Sequence, residues 1–166
     1  MDPPLRKKQV AEKVFGALKR RAIDMVATDH APHSVEEKKQ SPWWKVPIGI
    51  PGLETALPLM LTEVKRGNIA LGRVVEAMAQ APATIFGLNG GGLKEGTAAD
   101  IVLVDLKHSF KIDSSLFLSK AKYSPFDGRR VIGKVEKTFV EGRLVFDQGH
   151  IVAAPGSGAI LSPRRR

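Results

Sequence analysis

The 166-residue chain has no cysteine, a single tyrosine and only four histidines. Without thiols it can form neither a disulfide framework nor a thiolate metal site, so a bound metal would rest on imidazole and carboxylate groups. No stretch reaches the roughly 20 apolar residues that a bilayer-spanning helix needs. The opening Met1-Asp2-Pro3-Pro4-Leu5-Arg6 has no hydrophobic segment of the signal-peptide type. A cytoplasmic, non-membrane protein is the expectation. Acidic residues are also scarce, 17 against 26 lysines and arginines, for a formal charge of +9. The positives are scattered, as at Lys19 to Arg21, Lys38-Lys39 and Arg164 to Arg166, and no aromatic-studded basic stripe accompanies them. They read as solvated surface charge, and nucleic acid is not an expected partner.

What is present is ordinary for a globular chain: 43% hydrophobic and 26% charged residues. Over residues 7–22, Val10, Val14, Phe15 and Leu18 recur at helical spacing among lysines and arginines, which predicts an amphipathic helix. It leads into Ile23-Asp24-Met25-Val26-Ala27, a nearly uninterrupted apolar run that reads as a buried strand. A proline-rich loop over 30–51 follows, too long for a mere connector and of the kind that holds substrate. A second helix opens at Gly52-Leu53-Glu54-Thr55, carries a broad apolar face and stops at Arg66-Gly67-Asn68. Leu71 to Ala79 predicts a third helix, and Pro82 can start a short fourth, closed by Gly87. From Asn89 the texture changes. Gly90-Gly91-Gly92 reads as a flexible break, and Ile101 to Val104 as a strand bounded by Asp100 and Asp105. Val135 to Val140 and Arg143 to Phe146 flank Glu141-Gly142, a hairpin-type turn, and one more short strand is expected at His150 to Val152.

The fold class is therefore α/β, with a small β-rich module at the C-terminal end. Asp29 is the leading candidate for chemistry, because an acid delivered to the end of a buried strand is poorly solvated unless it meets a metal, a cation or a donor-rich loop. On spacing alone, capping of the following loop explains it equally well. His33, four residues on in a Pro32-constrained turn, could face the same cavity and donate to an anionic group, or could be an isolated surface histidine.

The string Ala27-Thr28-Asp29-His30-Ala31-Pro32-His33 resembles the last active-site motif of the dihydroorotases, members of the amidohydrolase superfamily. Val46-Pro47-Ile48-Gly49-Ile50-Pro51-Gly52-Leu53-Glu54 resembles their substrate loop. Leu93 to Asp105 and Ser124-Pro125-Phe126-Asp127-Gly128 are similar to the β module common to the superfamily. The resemblance runs from Met1 to about Val152. It implies the C-terminal part of a TIM-like (β/α)8 barrel over residues 1–88 and a β-sandwich-type accessory module over 89–155; the tail over 156–166, with Gly156-Ser157-Gly158 and Arg164 to Arg166, reads from its composition as disordered. It also implies a zinc-dependent hydrolase that interconverts N-carbamoyl-L-aspartate and dihydroorotate in pyrimidine synthesis. Asp29 would bind the metal and act as general acid and base, His33 would hold the substrate carboxylate, and the backbone of Ile48 and Gly49 would fix the ring. Allantoinases and hydantoinase-like enzymes share the Asp but usually lack the second His, so His33 favours dihydroorotate over neutral cyclic amides. His30 would orient the loop. Asp2 stands where the family has a substrate-binding Asn, and its added charge facing an anionic substrate opposes binding unless compensated.

The matching portion is the C-terminal one. The family's His-x-His pair, its mid-barrel acid or carboxylated lysine and its two later histidines fall outside the chain. Since zinc sites use about three protein ligands plus water, the chain is expected to be inactive alone, as the product of a truncated or split gene. Its expected partners are the small-molecule substrate, a complementing N-terminal half or a homo-oligomer. A non-catalytic scaffold subunit supporting an enzyme such as aspartate carbamoyltransferase is the alternative of a different class.

Overall fold

A computed structural model describes residues 4–163. Helix α1 spans Lys8–Lys19, α2 Val35–Lys38 and α3 Leu53–Lys65, with a 3-10 turn at Trp43–Lys45. Helix α4, Leu71–Val75, runs into a π-helical turn at Glu76–Gln80 and on into α5, Ala81–Ile85. Strands β1 (Ile101–Lys111), β2 (Arg130–Val140), β3 (Arg143–Asp147) and β4 (His150–Ile151) form one antiparallel sheet in chain order.

Helix α3 organises both halves, which is why its apolar face is broad. One side, through Met60 and Val64, joins the cluster of Leu18, Ile69, Val74 and Ala77 beneath α1 and α4. The other side, through Leu59, joins Val131 of β2 together with Ile112 and Phe117, which follow β1. The described strands make a single sheet closed by this helix, where the sandwich-type module expected from sequence would bring a second sheet. The contact is tight because Gly133 of β2 carries no side chain. A Cβ there would lie 2.7 Å from Leu61 Cβ, and its φ of +102° suits only glycine. Beside it, the hydroxyl of buried Thr62 accepts the Ile132 amide at 2.9 Å and donates to the Pro58 carbonyl at 2.7 Å. One hydroxyl thus satisfies a strand amide across the interface.

In the hairpin between β2 and β3, Glu141 and Gly142 have φ of +51° and +78°, the pair of positive values that matches strand twist. Asp100 accepts the Glu141 amide at 2.8 Å, so the acid before the first strand caps this turn. β1 does not stop at Asp105, as expected. It continues to Lys111 through a bulge, and the Asp105 carboxylate accepts the amides of Lys107 and His108. These bonds hold the Asp105 carboxyl below its ordinary range.

Three further expectations change. Ile23 to Ala27 is extended but belongs to no strand ladder among the described residues, and it is half-buried to exposed. A buried strand needs neighbours on both edges, and the described residues supply one amide bond, from Val26 to the Ala77 carbonyl at 3.0 Å. The third and fourth helices are one continuous path, wound as π between Glu76 and Gln80. Gly91 is more than a flexible break, because a Cβ there would meet the Ala79 carbonyl at 2.6 Å and Ala83 Cβ at 2.7 Å. The chain crosses that helix where only glycine fits.

Candidate active-site loops

The apolar segment ends at Asp29, whose φ of +46° is left-handed, an uncommon conformation for a residue with a side chain. Such backbone strain persists only where surrounding structure enforces it, and it clusters at functional positions. Here the enforcement is visible. His30 and Ile50 form a parallel bridge, with the Ala31 amide donating to the Ile50 carbonyl at 3.0 Å. Gly49, at φ +108°, lies so close to Ala31 that a Cβ would sit 2.4 Å from Ala31 Cβ. The loop over 28–33 and the loop over 46–53 are therefore one interlocked unit.

Two side chains lock it further. His30 Nδ1 accepts the amides of Gly52 at 3.0 Å and Leu53 at 3.2 Å, so the imidazole caps the N-terminus of α3. That fixes the tautomer with its proton on Nε2. It also agrees with a loop-orienting role for His30. Lys38 Nζ donates to the carbonyls of Pro47 at 2.5 Å and Gly49 at 2.7 Å, pinning the second loop from below. Lys38 is reached through α2, a helix inside the stretch read from sequence as plain loop. Its signal was in the sequence: Ser34-Val35-Glu36-Glu37 is a capping box, with Ser34 Oγ accepting the Glu37 amide and Glu37 Oε2 accepting the Ser34 amide at 2.6 Å.

His33 is about a third exposed, with Nδ1 3.7 Å from Glu37 Oε2. Glu37 Oε1 in turn accepts Lys120 Nζ at 2.9 Å from the β module. The Lys120 bond first, then the Ser34 amide, hold the Glu37 carboxyl below its ordinary value. Nearby, Glu54 at the start of α3 accepts the amides of Leu118 and Ser119. The segment around residues 118–120 thus grips both ends of the loop unit.

Of the residues singled out in the sequence, Asp29, His33, Ile48 and Gly49 fall on this one unit, although no hydrogen bond or ion pair joins Asp29 to His33 among the described residues. Asp29 is exposed, the Ile48 side chain is 54% exposed and Gly49 is buried. Asp2 lies outside the described residues. Lys38, Glu37 and the capping role of His30 were not read from sequence. No group of three His, Asp or Glu able to hold a metal ion occurs among the described residues. With His30 Nδ1 spent on α3 and His33 Nδ1 facing Glu37, these residues do not by themselves fit a zinc centre. What they offer is an exposed carboxylate, an imidazole and a fixed backbone rim.

This arrangement has relatives. The profile of the amidohydrolase family matches residues 5–145, and the chain belongs to that family. It is 44% identical over 151 residues to a dihydroorotase of Macrococcus caseolyticus, covering 90% of this chain and 35% of that protein. It is 45% identical over 153 residues to a dihydroorotase of Bacillus licheniformis, covering 92% of this chain and 36% of the other. Among solved structures, an L-hydantoinase (dihydropyrimidinase) from Arthrobacter aurescens superimposes with a TM-score of 0.90 at 38% identity, over 96% of this chain and 37% of that one. The chain thus spans about a third of the length of the relatives it matches. No helix is long and apolar enough to cross a membrane among the described residues.

Proposed function

We propose that this chain is the C-terminal portion of a dihydroorotase-type cyclic amidohydrolase, which interconverts N-carbamoyl-L-aspartate and dihydroorotate. The observation that carries the reading is the interlock of the Asp29–His33 loop with the Ile48–Gly49 loop through Ala31, His30 and Lys38. It is supported by the 44–45% identity to proteins named dihydroorotase. Residues 1–88 would complete the last part of a (β/α)8 barrel, with 89–155 as the accessory module and 156–166 as a tail. The unladdered segment over 23–27 would gain strand neighbours from the rest of such a barrel.

Within that enzyme, Asp29 takes the proton of the attacking water and delivers it to the leaving ring nitrogen, the work of a single carboxylate as general base and then general acid. Its left-handed backbone at the loop entrance directs it away from the packed face. His33 pairs with the substrate carboxylate, and the Ile48 and Gly49 backbone fixes the ring. Zinc would belong to the assembled enzyme, where Asp29 would be one ligand and the others would come from outside this chain. The substrate is the expected small-molecule partner, and an N-terminal barrel portion the expected protein partner.

The test compares zinc content and dihydroorotate hydrolysis of the purified 166-residue chain with those of the chain co-expressed with an N-terminal dihydroorotase portion. Metal and activity only in the second sample support the reading. Stoichiometric zinc and turnover in the first would overturn the account of the ligands. A neutral-substrate amidohydrolase is the second reading, favoured by the 38% identity to the L-hydantoinase. Replacing His33 separates them, since only turnover of the carboxylate-bearing substrate should fall.

A further inference from the structure

The π-helical turn at Glu76–Gln80 has a cause in the sequence and a use in the fold. Pro82 has no amide hydrogen, and its nitrogen is both the α-helical partner of the Met78 carbonyl and the π-helical partner of the Ala77 carbonyl. The Ala81 amide, which would serve Ala77 in an α-helix, bonds instead to the Glu76 carbonyl. The Ala77 carbonyl is therefore released from the ladder. Ala77 is fully buried, so the released acceptor must find a partner inside the protein. It finds the Val26 amide at 3.0 Å, three residues before Asp29.

The same helical path holds the segment at a second point. The guanidinium of Arg73, 5% exposed, donates to the carbonyls of Leu18 at 2.8 Å, Ile23 at 2.5 Å and Asp24 at 3.1 Å. Its charge is met by Glu76 at 3.4 Å, the first residue of the π turn. A segment without ladder neighbours is thus gripped by its carbonyls at 23 and 24 and by its amide at 26. We propose that Pro82 is a positioning residue for Asp29. By removing one amide hydrogen it frees the Ala77 carbonyl, which sets the height at which the segment leaves the helix and enters the left-handed turn at Asp29. The importance of this for catalysis rests on the role given above to Asp29, but the tether itself does not.

The test uses the whole chain and two NMR readouts, amide hydrogen exchange and the φ-sensitive HN–Hα coupling of Asp29. In Pro82→Ala the helix can recover its regular ladder. The Val26 amide should then exchange about five- to ten-fold faster, as expected for loss of one hydrogen bond. The Asp29 coupling should move, while the Ile132 amide, bonded to Thr62, keeps its protection. An unchanged Val26 amide or an unchanged Asp29 coupling in the variant overturns the proposal. If the variant loses protection everywhere, including at Ile132, the wild-type chain decides. A through-hydrogen-bond coupling between the Val26 nitrogen and the Ala77 carbonyl carbon supports the tether, and its absence overturns it. Because neither readout needs turnover, failure of the dihydroorotase reading in the activity assay leaves this result independent.

Discussion

The sheet over residues 101–151 and the segment over 24–28 are both extended backbone, but only the sheet carries a hydrogen-bonded ladder of its own. β2, β3 and β4 follow one another through two tight turns, and β1 pairs with β2 across a longer connection, so every ladder partner lies within residues 101–151. The segment before Asp29 has no such neighbour among the described residues and borrows bonds from a helix: a carbonyl of the π turn and an arginine. The contrast separates strands whose partners all lie within one stretch of this chain from a segment that has none among the described residues. The first kind is stable in a short chain, and the second keeps its shape only where side chains and helix defects stand in for the sheet.

The largest test of that contrast strikes the surface joining the two regions. Gly133→Ala places a Cβ 2.7 Å from Leu61 at a φ of +102°, and it should cost about 2–4 kcal/mol in urea unfolding, from strain and overpacking combined. A change below 0.5 kcal/mol would show that α3 can lift off the sheet freely. Next, Gly49→Ala drives a methyl group into Ala31 and should separate the two loops. We expect about 1–3 kcal/mol by unfolding and at least a ten-fold loss of turnover in the complemented enzyme, where a 1 Å misplacement is already costly. Thr62→Val removes the acceptor for the Ile132 amide without changing shape, and about 1–3 kcal/mol should be lost.

Smaller still is the acid response of the link between the regions. The Glu37 carboxyl is depressed by Lys120 and by the Ser34 amide, so its stabilising effect is present above the ordinary value of 4.5 and disappears as pH falls through the lower folded value. Lowering the pH from 6 into that range should loosen α2 and the 118–120 grip before the sheet responds, seen as earlier amide exchange at Glu37 than at Ile132. Lys120→Met should remove most of this acid dependence while leaving neutral-pH stability nearly unchanged, as for any exposed pair. An undiminished acid response in that variant would mean that the Ser34 cap carries the effect alone.

How much of this was legible beforehand follows the same division. α3, with its glycine stop, and the Glu141-Gly142 hairpin were readable because periodicity and turn chemistry are local. The dihydroorotase resemblance points to Asp2, Asp29, His33, Ile48 and Gly49; the last four fall on one loop unit, and Asp2 lies outside the described residues. The strand reading of 23–27 captured the extended backbone but not its ladder, which depends on neighbours that a window of sequence does not contain. The π turn was hidden because a proline at a first helical position ordinarily announces a new helix. Here it marks a change of winding within an old one. The capping box at Ser34 and Glu37 is a local signal that stands inside a proline-rich stretch whose composition otherwise reads as loop.

One consequence of the Leu61–Gly133 contact lies in how the chain can vary. The distance from α3 to the sheet is set by an atom that is missing, so the two positions are free to change only together. Because the Cβ of Leu61 is itself 2.7 Å from where a methyl group at 133 would sit, only glycine at 61 makes room for it, although the positive φ remains to be tolerated, and either change alone leaves a void or a collision. Substitution at one of these sites is therefore a wager on the other, and a lineage that has lost the glycine should carry the mark of it on the helix.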